Sequence, residues 1–434
     1  MLAERRHPTK AELDAVSATQ PLCVMHVSGH MARCNTPALK AFGVTRDTPD
    51  PTGGHLGRDA AGEPNGVIEE AALSYVMSVA PNPTYEQAQK AFREIQVYYA
   101  SQGYTTAQDG VTSSPVTLKL LLDGQRDHSL ILDIASYPRW TLIDEQAAKL
   151  GLEIGGLYRD HLKFAGVKIV GDGSPQGKTA WLTQPYVHPP AGAPADYRGF
   201  PVVPPADMAK LYETYMGRGW QVQTHCNGDA CIDSVLAAIR AAYAAHPKAR
   251  ATRPVIIHSQ VTRSDQLKAY AELGVFPSFF AEHTYYWGDW HRTETLGPTR
   301  APYISPTADA LKDGVKFSLH TDAPVVPPVP LHAIWSAVNR VTRTGQPLGP
   351  DQRLAPMDAL RAVTIWPAWQ HHDEATRGSI TVGKQADLVV LDADPLTVEP
   401  MSIRNIRVLL TVKEGREIFR RGETPVAREP FAAP

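Results

Sequence analysis

FAGVKIVGDG (residues 164–173) decides the fold. Its core, 167–170, is a short apolar run rich in Val and Ile and ended by glycine, which reads as a strand buried on both faces. WQVQTHCNGD (220–229), RPVIIHSQ (253–260) and VKFSLHTDAP (315–324) repeat the pattern. Strands with two buried faces belong to parallel sheets, and helical stretches lie between these four. In a closed parallel barrel the C-terminal strand ends open into one mouth, where chemistry sits. Lys168, His225, His258 and Asp322 close the four runs, so residues far apart in sequence converge there. One lysine, two histidines and an aspartate at such a mouth point to a metal site of the hydrolytic kind.

Working outward, strand signals fall near 104–109, 130–135, 167–170, 221–225, 255–258, 275–280 and 315–320. Helical periodicity separates them in SPVTLKLLLDGQ, DMAKLYETYMGRG, DACIDSVLAAIRAAYAAH and SDQLKAYAELG. A further helix, YEQAQKAFREIQVYYASQG, precedes the first strand and ends at Gly103. The fold class is therefore α/β, a TIM (β/α)8-type barrel with seven strands where a complete barrel has eight. Residues 1–80 read as an inserted or cap segment, 81–372 as the barrel and 373–434 as a small β domain. Within the first segment, PLCVMHVSGH reads as a strand running into a loop and NTPALKAFGV as a short helix capped by Asn35 or Thr36. PDPTGGHLGRDAAGEPNG reads as a Gly/Pro-rich loop.

Composition narrows the class. The chain has 434 residues, 43% hydrophobic and 20% charged, with a net charge of −2. That near-neutral balance gives no electrostatic reason for a nucleic acid or an acidic membrane as partner. No apolar stretch reaches the roughly 18 residues a membrane helix needs. The first residues, MLAERRHPTKAELD, lack the apolar core of a secretory signal. Cys23, Cys34, Cys226 and Cys231 show no Cys-x-x-Cys spacing and read as reduced thiols of a cytoplasmic protein.

The constellation sets the chemistry. His225 and His258 end adjacent strands one βα unit apart, and imidazole is the commonest biological metal ligand. Asp322 supplies a hard oxygen, with a helix N-cap as its alternative role. An ammonium cannot bind a cation, so Lys168 takes part only with its pKa lowered, as a neutral amine that captures carbon dioxide as a carbamate. Pairing with Asp172 is the equal alternative for Lys168. Tyr285, Tyr286, Trp287 and Trp290 follow on a loop, placed either to sandwich an apolar substrate group or to pack on the rim. His283, just ahead of them, offers a polar contact to the scissile group.

FAGVKIVGDGSPQGKTA, QTHCNGDACIDSVLAAI, VIIHSQ, HTDAPV and GSITVGKQADLVVLDADP together resemble the amidohydrolase superfamily. More narrowly, they resemble the YtcJ-like metal-dependent hydrolases of the amidohydrolase-3 group. The resemblance runs from RHPTKAELDAVSATQP nearly to the end of the chain. It implies that Lys168 is carboxylated, that His225 and His258 bind metal, and that Asp322 binds metal and shuttles protons. It also implies zinc or another divalent metal, a carbamate from carbon dioxide, and a small-molecule substrate. His30 matches a Gly-His of that family and reads as a substrate-pocket residue, joined by His283, Tyr286 and Trp287.

One motif of that family is not found. Its first barrel strand ends in His-x-His, whereas His7, His26, His30 and His55 show no such spacing. The expectation is a barrel short of its first strand, from a shortened version of a longer frame, with room for at most one zinc. Unpaired strand edges then favour a homo-oligomer. The expected activity is zinc-dependent hydrolysis of a non-peptide C–N bond, an amide or formamide. A catalytically silent barrel that binds a ligand or partner is the alternative, and a phosphotriester or lactone hydrolase the third reading.

Overall fold

The structure is a computed structural model and describes residues 6–80 and 83–422. The outer parts of the first and last expected segments, 1–5 and 423–434, and residues 81–82 at the expected boundary lie outside the described residues.

The N-terminal part is a four-stranded antiparallel sheet. Its strands are β1 (Cys23–Met25), β2 (Met31–Cys34), β3 (Gly54–Arg58) and β4 (Pro64–Glu70), in the order β1-β2-β4-β3. Asn35 caps the helix Thr36–Ala41 as expected, its side chain accepting from the N–H of Ala38. Ala32, Leu39, Leu56 and Ile68 form the small core under the sheet. The stretch read as a Gly/Pro-rich loop is instead the β3–β4 hairpin. Its turn residues Asp59–Gly62 hide two strands whose cross-strand register runs from Gly54–Glu70 to Arg58–Pro64.

The central part carries parallel strands separated by helices. They are β5 (Thr106–Thr112), β6 (Asp133–Pro138), β7 (Leu162–Phe164), β8 (Gly166–Val170), β9 (Gln221–Cys226), β10 (Val255–His258), β11 (Phe276–Phe279) and β12 (Ser318–Leu319). One sheet runs β5-β6-β7 and the other β12-β11-β10-β9-β8, every neighbour parallel. Only Ala165 separates β7 from β8, so the run Leu162–Val170 pairs with β6 by its first half and with β9 by its second. Seven strand positions therefore follow one another in chain order. Among the described residues no strand pairing joins β5 to β12, and the sheet is open on that side. The fold is a TIM-barrel-like α/β fold.

Burial explains the strands. Every residue of β9, β10 and β11 is buried, because helices cover one face and the barrel interior the other. The helices Pro205–Gly217 and Asp229–Ala245 pack Met208, Tyr212, Ile232, Val235 and Ile239 onto this layer. Helix Tyr85–Ser101 starts at a Thr84–Gln87 capping box and gives way to Gly103 at φ 91°.

The last part is a three-stranded antiparallel sheet of β13 (Leu388–Leu391), β14 (Val408–Lys413) and β15 (Arg416–Arg420). It docks through a buried ionic group. Asp133 of β6 accepts from Arg377, from Lys413 Nζ at 2.9 Å and from His161 Nδ1 at 2.7 Å. Among the described residues no helix is long and apolar enough to cross a membrane.

The thiol reading of the cysteines is overturned. Cys23 and Cys34 face each other across the β1–β2 pair and form a disulfide, as do Cys226 and Cys231. Strand register makes the first pair and the first turn of helix Asp229–Ala245 makes the second, neither of which needs Cys-x-x-Cys spacing.

Candidate metal centre

The parallel strands deliver their side chains to one cavity of about 1260 Å3. Lys168 comes from the middle of β8, His225 from β9, His258 from the last position of β10, and Asp322 from just past β12. All four line the cavity, so the residues expected to converge do so. His320, which the sequence reading passed over, lines it too, and His30 enters from the N-terminal sheet.

His258 stands between two imidazoles. Its Nε2 is 2.9 Å from His225 Nδ1 and its Nδ1 is 3.2 Å from His320 Nε2. Ligand-capable atoms of His258, His320 and Asp322 all lie within 4.8 Å of one another. Burial, reinforced by neighbouring His30, His225 and Lys168, holds His225 and His258 well below the ordinary histidine value and His320 at about 3. All three rings are thus neutral, the form that offers a lone pair to a cation. His258 and Asp322 sit in the left-handed backbone region, at φ 74° and 55°. Such conformations cost about 1–3 kcal/mol each in non-glycine residues and cluster at functional sites.

Lys168 is buried, and burial pulls its pKa down to about 8 against the opposing charges of Asp322 and Asp109. No hydrogen bond from a described residue reaches its amine. Asp172 is committed elsewhere, accepting the backbone N–H groups of Trp181 at 3.0 Å, Asn227 at 2.9 Å and Gly228 at 2.8 Å. Those three bonds fasten the turn that follows His225. The carboxylate of Asp322 caps no helix, the next one beginning at Pro330, and burial raises its pKa. Neutral imidazoles, an acidic side chain that accepts no hydrogen bond from a described residue, and a lysine with a depressed pKa fit a divalent cation.

His30 Nδ1 lies 2.8 Å from Glu70 Oε2, and its ring centroid is 4.7 Å from that of His225. Burial works against protonation of His30, but the charge and hydrogen bond of Glu70, with the charges of Asp322 and Asp172, together outweigh it and raise the pKa. His283 is buried with its ring 6.1 Å from His258, behind the cavity wall, and its Nδ1 has no partner among the described residues. The segment read as an aromatic loop is the helix His283–Trp290. Trp287 packs on Phe280 and His283, and Tyr286 on His332; neither lines the 1260 Å3 cavity. His320 had a signal in sequence, since residues two apart on an extended strand end share a side. Glu70 had none, because its partner His30 lies 40 positions away.

A parallel α/β sheet with donor atoms gathered at its strand ends defines a hydrolytic metalloenzyme scaffold. Comparison with known proteins gives the family: the amidohydrolase family profile matches residues 1–419, and the chain belongs to that family. It is 26% identical over 430 residues to the YtcJ protein of Bacillus subtilis (strain 168), whose name describes it as an amidohydrolase, spanning 95% of this chain and 77% of that one. It is 26% identical over 433 residues to the N-substituted formamide deformylase of Arthrobacter pascens, spanning 95% and 76%. A solved metal-dependent hydrolase from Pyrococcus horikoshii OT3 superposes with a TM-score of 0.70 at 25% identity, over 91% of this chain and 76% of that one. The protein is a hydrolase of a metal-dependent family.

Proposed function

We propose that the protein hydrolyses a non-peptide C–N bond, an amide or formamide, in a small-molecule substrate bound in the 1260 Å3 cavity. The observation that carries this reading is the row of three neutral imidazoles beside Asp322 and Lys168. Similarity to a formamide deformylase supports the choice of bond. Zinc is the ion that best suits nitrogen and carboxylate donors, with Lys168, His225, His258 and Asp322 around it. A divalent ion there supplies Lewis acidity and lowers the pKa of a coordinated water toward about 7.

The chain's own residues do the rest. The neutral amine of Lys168 attacks carbon dioxide and sheds a proton, giving a carbamate anion with two oxygen donors. Asp322 takes the proton from the attacking water and passes it to the leaving nitrogen, a role that a carboxyl raised by burial suits. His30, held by Glu70 and lining the cavity, positions an acceptor group of the substrate, while His283 supports the cavity wall from behind. Trp287 packs on His283 and Tyr286 on Trp287, so these two rings stiffen the wall behind the cavity.

A panel of N-substituted formamides, simple amides, lactones and phosphotriesters tests this on zinc-loaded protein. Hydrolysis confined to the C–N substrates, lost in Asp322→Asn, is expected. Turnover of only lactones or phosphotriesters would overturn it. The open side between β5 and β12 supports a further strand there; slow amide exchange along both edges in the described chain would contradict that.

A further inference from the structure

Four basic side chains gather at the edge of the cavity, away from the metal centre. Arg33 stands on β2, and Lys178 caps the short turn Pro175–Gly177 in the loop after β8. Strand and loop touch here: Met31 shares a face of β2 with Arg33, and a Cβ on Gly177 would meet its Sδ at 3.5 Å. His7 lies in the field of both cations, and its ring packs edge-on against His26 with centroids 5.2 Å apart. All four residues are half-buried. The residues that follow His26, from Val27 to His30, line the 1260 Å3 cavity.

What sets this group apart is its unspent donors. The Arg33 guanidinium and the Lys178 amine make no hydrogen bond or ion pair with a described residue, and Arg33 Nε is buried besides. Glu69 and Glu294 act on them only as more distant charges. Lys178 rests instead over the Trp290 ring, its Nζ 5.5 Å from the centroid. It holds that place from the left-handed backbone region, at φ 63°, a strain of the kind found at binding sites. His26 Nδ1 accepts the Ser28 N–H at 3.2 Å, which leaves the ring hydrogen on Nε2. That hydrogen meets no acceptor among the described residues. Half-buried donors without acceptors favour an arriving anion, and a guanidinium grips a carboxylate through two parallel bonds. His30, whose ring centroid is 4.7 Å from that of His225, stands between this group and the metal centre.

We propose that Arg33, Lys178 and His26 form a subsite for a carboxylate carried by the substrate, several bonds from the scissile C–N bond. This rests on the reading that the cavity binds an amide or formamide, and it narrows that class to amides of amino acids with a long spacer.

The probe pair is 6-formamidohexanoate and N-hexylformamide, similar in length and different in charge. Zinc-loaded protein should show a kcat/KM at least about 10-fold higher for the acid, as charged hydrogen bonds give. High salt should shrink that ratio. In Arg33→Met/Lys178→Met the ratio should fall toward one, with an unchanged melting temperature showing that the variant folds. Lys178→Glu, a single change in a loop, is the second variant and should reverse the preference. Calorimetry with 6-formamidohexanoate on metal-free protein reads the subsite without turnover, and the double variant should bind it about 10-fold more weakly. Equal kcat/KM for the two compounds, or a ratio that both variants keep, would overturn the subsite and leave the proposed hydrolysis standing. Tighter binding of the acid with no turnover of either compound would keep the subsite and sink the hydrolysis. Equal binding of the two compounds with no turnover would sink both.

Discussion

Burying an ammonium with no acceptor favours its neutral form, and Lys168 shows the consequence in a pKa pulled down to about 8. The two sequence-level alternatives for this residue now have unequal support, since Asp172 spends its oxygens on three backbone N–H groups. Lys168→Ala should therefore lower zinc affinity and turnover, and short carboxylates with bicarbonate should restore part of both. Unchanged zinc affinity in that variant would end the carbamate proposal. His30 is the opposite case, held by Glu70 through one 2.8 Å contact that raises its pKa. Glu70→Gln should raise KM with little change in kcat, because the acceptor-binding ring is loosened while the proton shuttle at Asp322 is untouched. A kcat loss with unchanged KM would argue against a positioning role for this pair.

At the scale of elements, the turn from β9 into helix Asp229–Ala245 sets where His225 points. Gly228 leaves no room for a side chain, since a Cβ there would meet the Trp181 carbonyl oxygen at 1.9 Å. Gly228→Ala should destabilise the fold by about 1–3 kcal/mol, a typical cost of overpacking. Denaturant unfolding measures it, and an unchanged midpoint would show that the turn has slack. Such turns were legible only in part from sequence. VIIH could be read as a strand because both faces are buried and its side chains are uniformly apolar. β7 was missed because its three residues run into β8 with one residue between, so the bend that links the two sheets has no composition signal. The β3–β4 hairpin was missed because its glycines outweigh the few apolar positions that face the small N-terminal core. The disulfides follow from register and helix pitch, which spacing alone does not reveal.

At the scale of the molecule, the C-terminal sheet is fastened to the barrel by Asp133. Burial would raise this carboxyl, but His161, Arg377 and Lys413 outweigh it and hold its pKa below the ordinary aspartate value. A carboxylate depressed in the folded state contributes stability above its unfolded pKa of about 3.9, and that contribution fades as pH falls through the folded value. Asp133→Asn should cost about 3–5 kcal/mol at pH 7, because buried Arg377 loses its carboxylate partner, whereas Lys413 keeps Asp387 and Glu414. The gap between this variant and the unaltered protein should narrow below about pH 4. Equal gaps at pH 7 and in acid would show that the cations, not the carboxylate, set the energetics.

The convergence of the strand ends on one cavity was readable from four short stretches, and it is the part of the sequence reading on which the functional account depends. Its central claim is that this cavity holds one metal ion with His258 among its ligands. Elemental analysis of zinc-loaded, dialysed protein tests that most directly. The account predicts one zinc per chain, and none in a folded His258→Ala variant. No zinc in the unaltered protein, two tightly held ions per chain, or an unchanged zinc content in His258→Ala would contradict it.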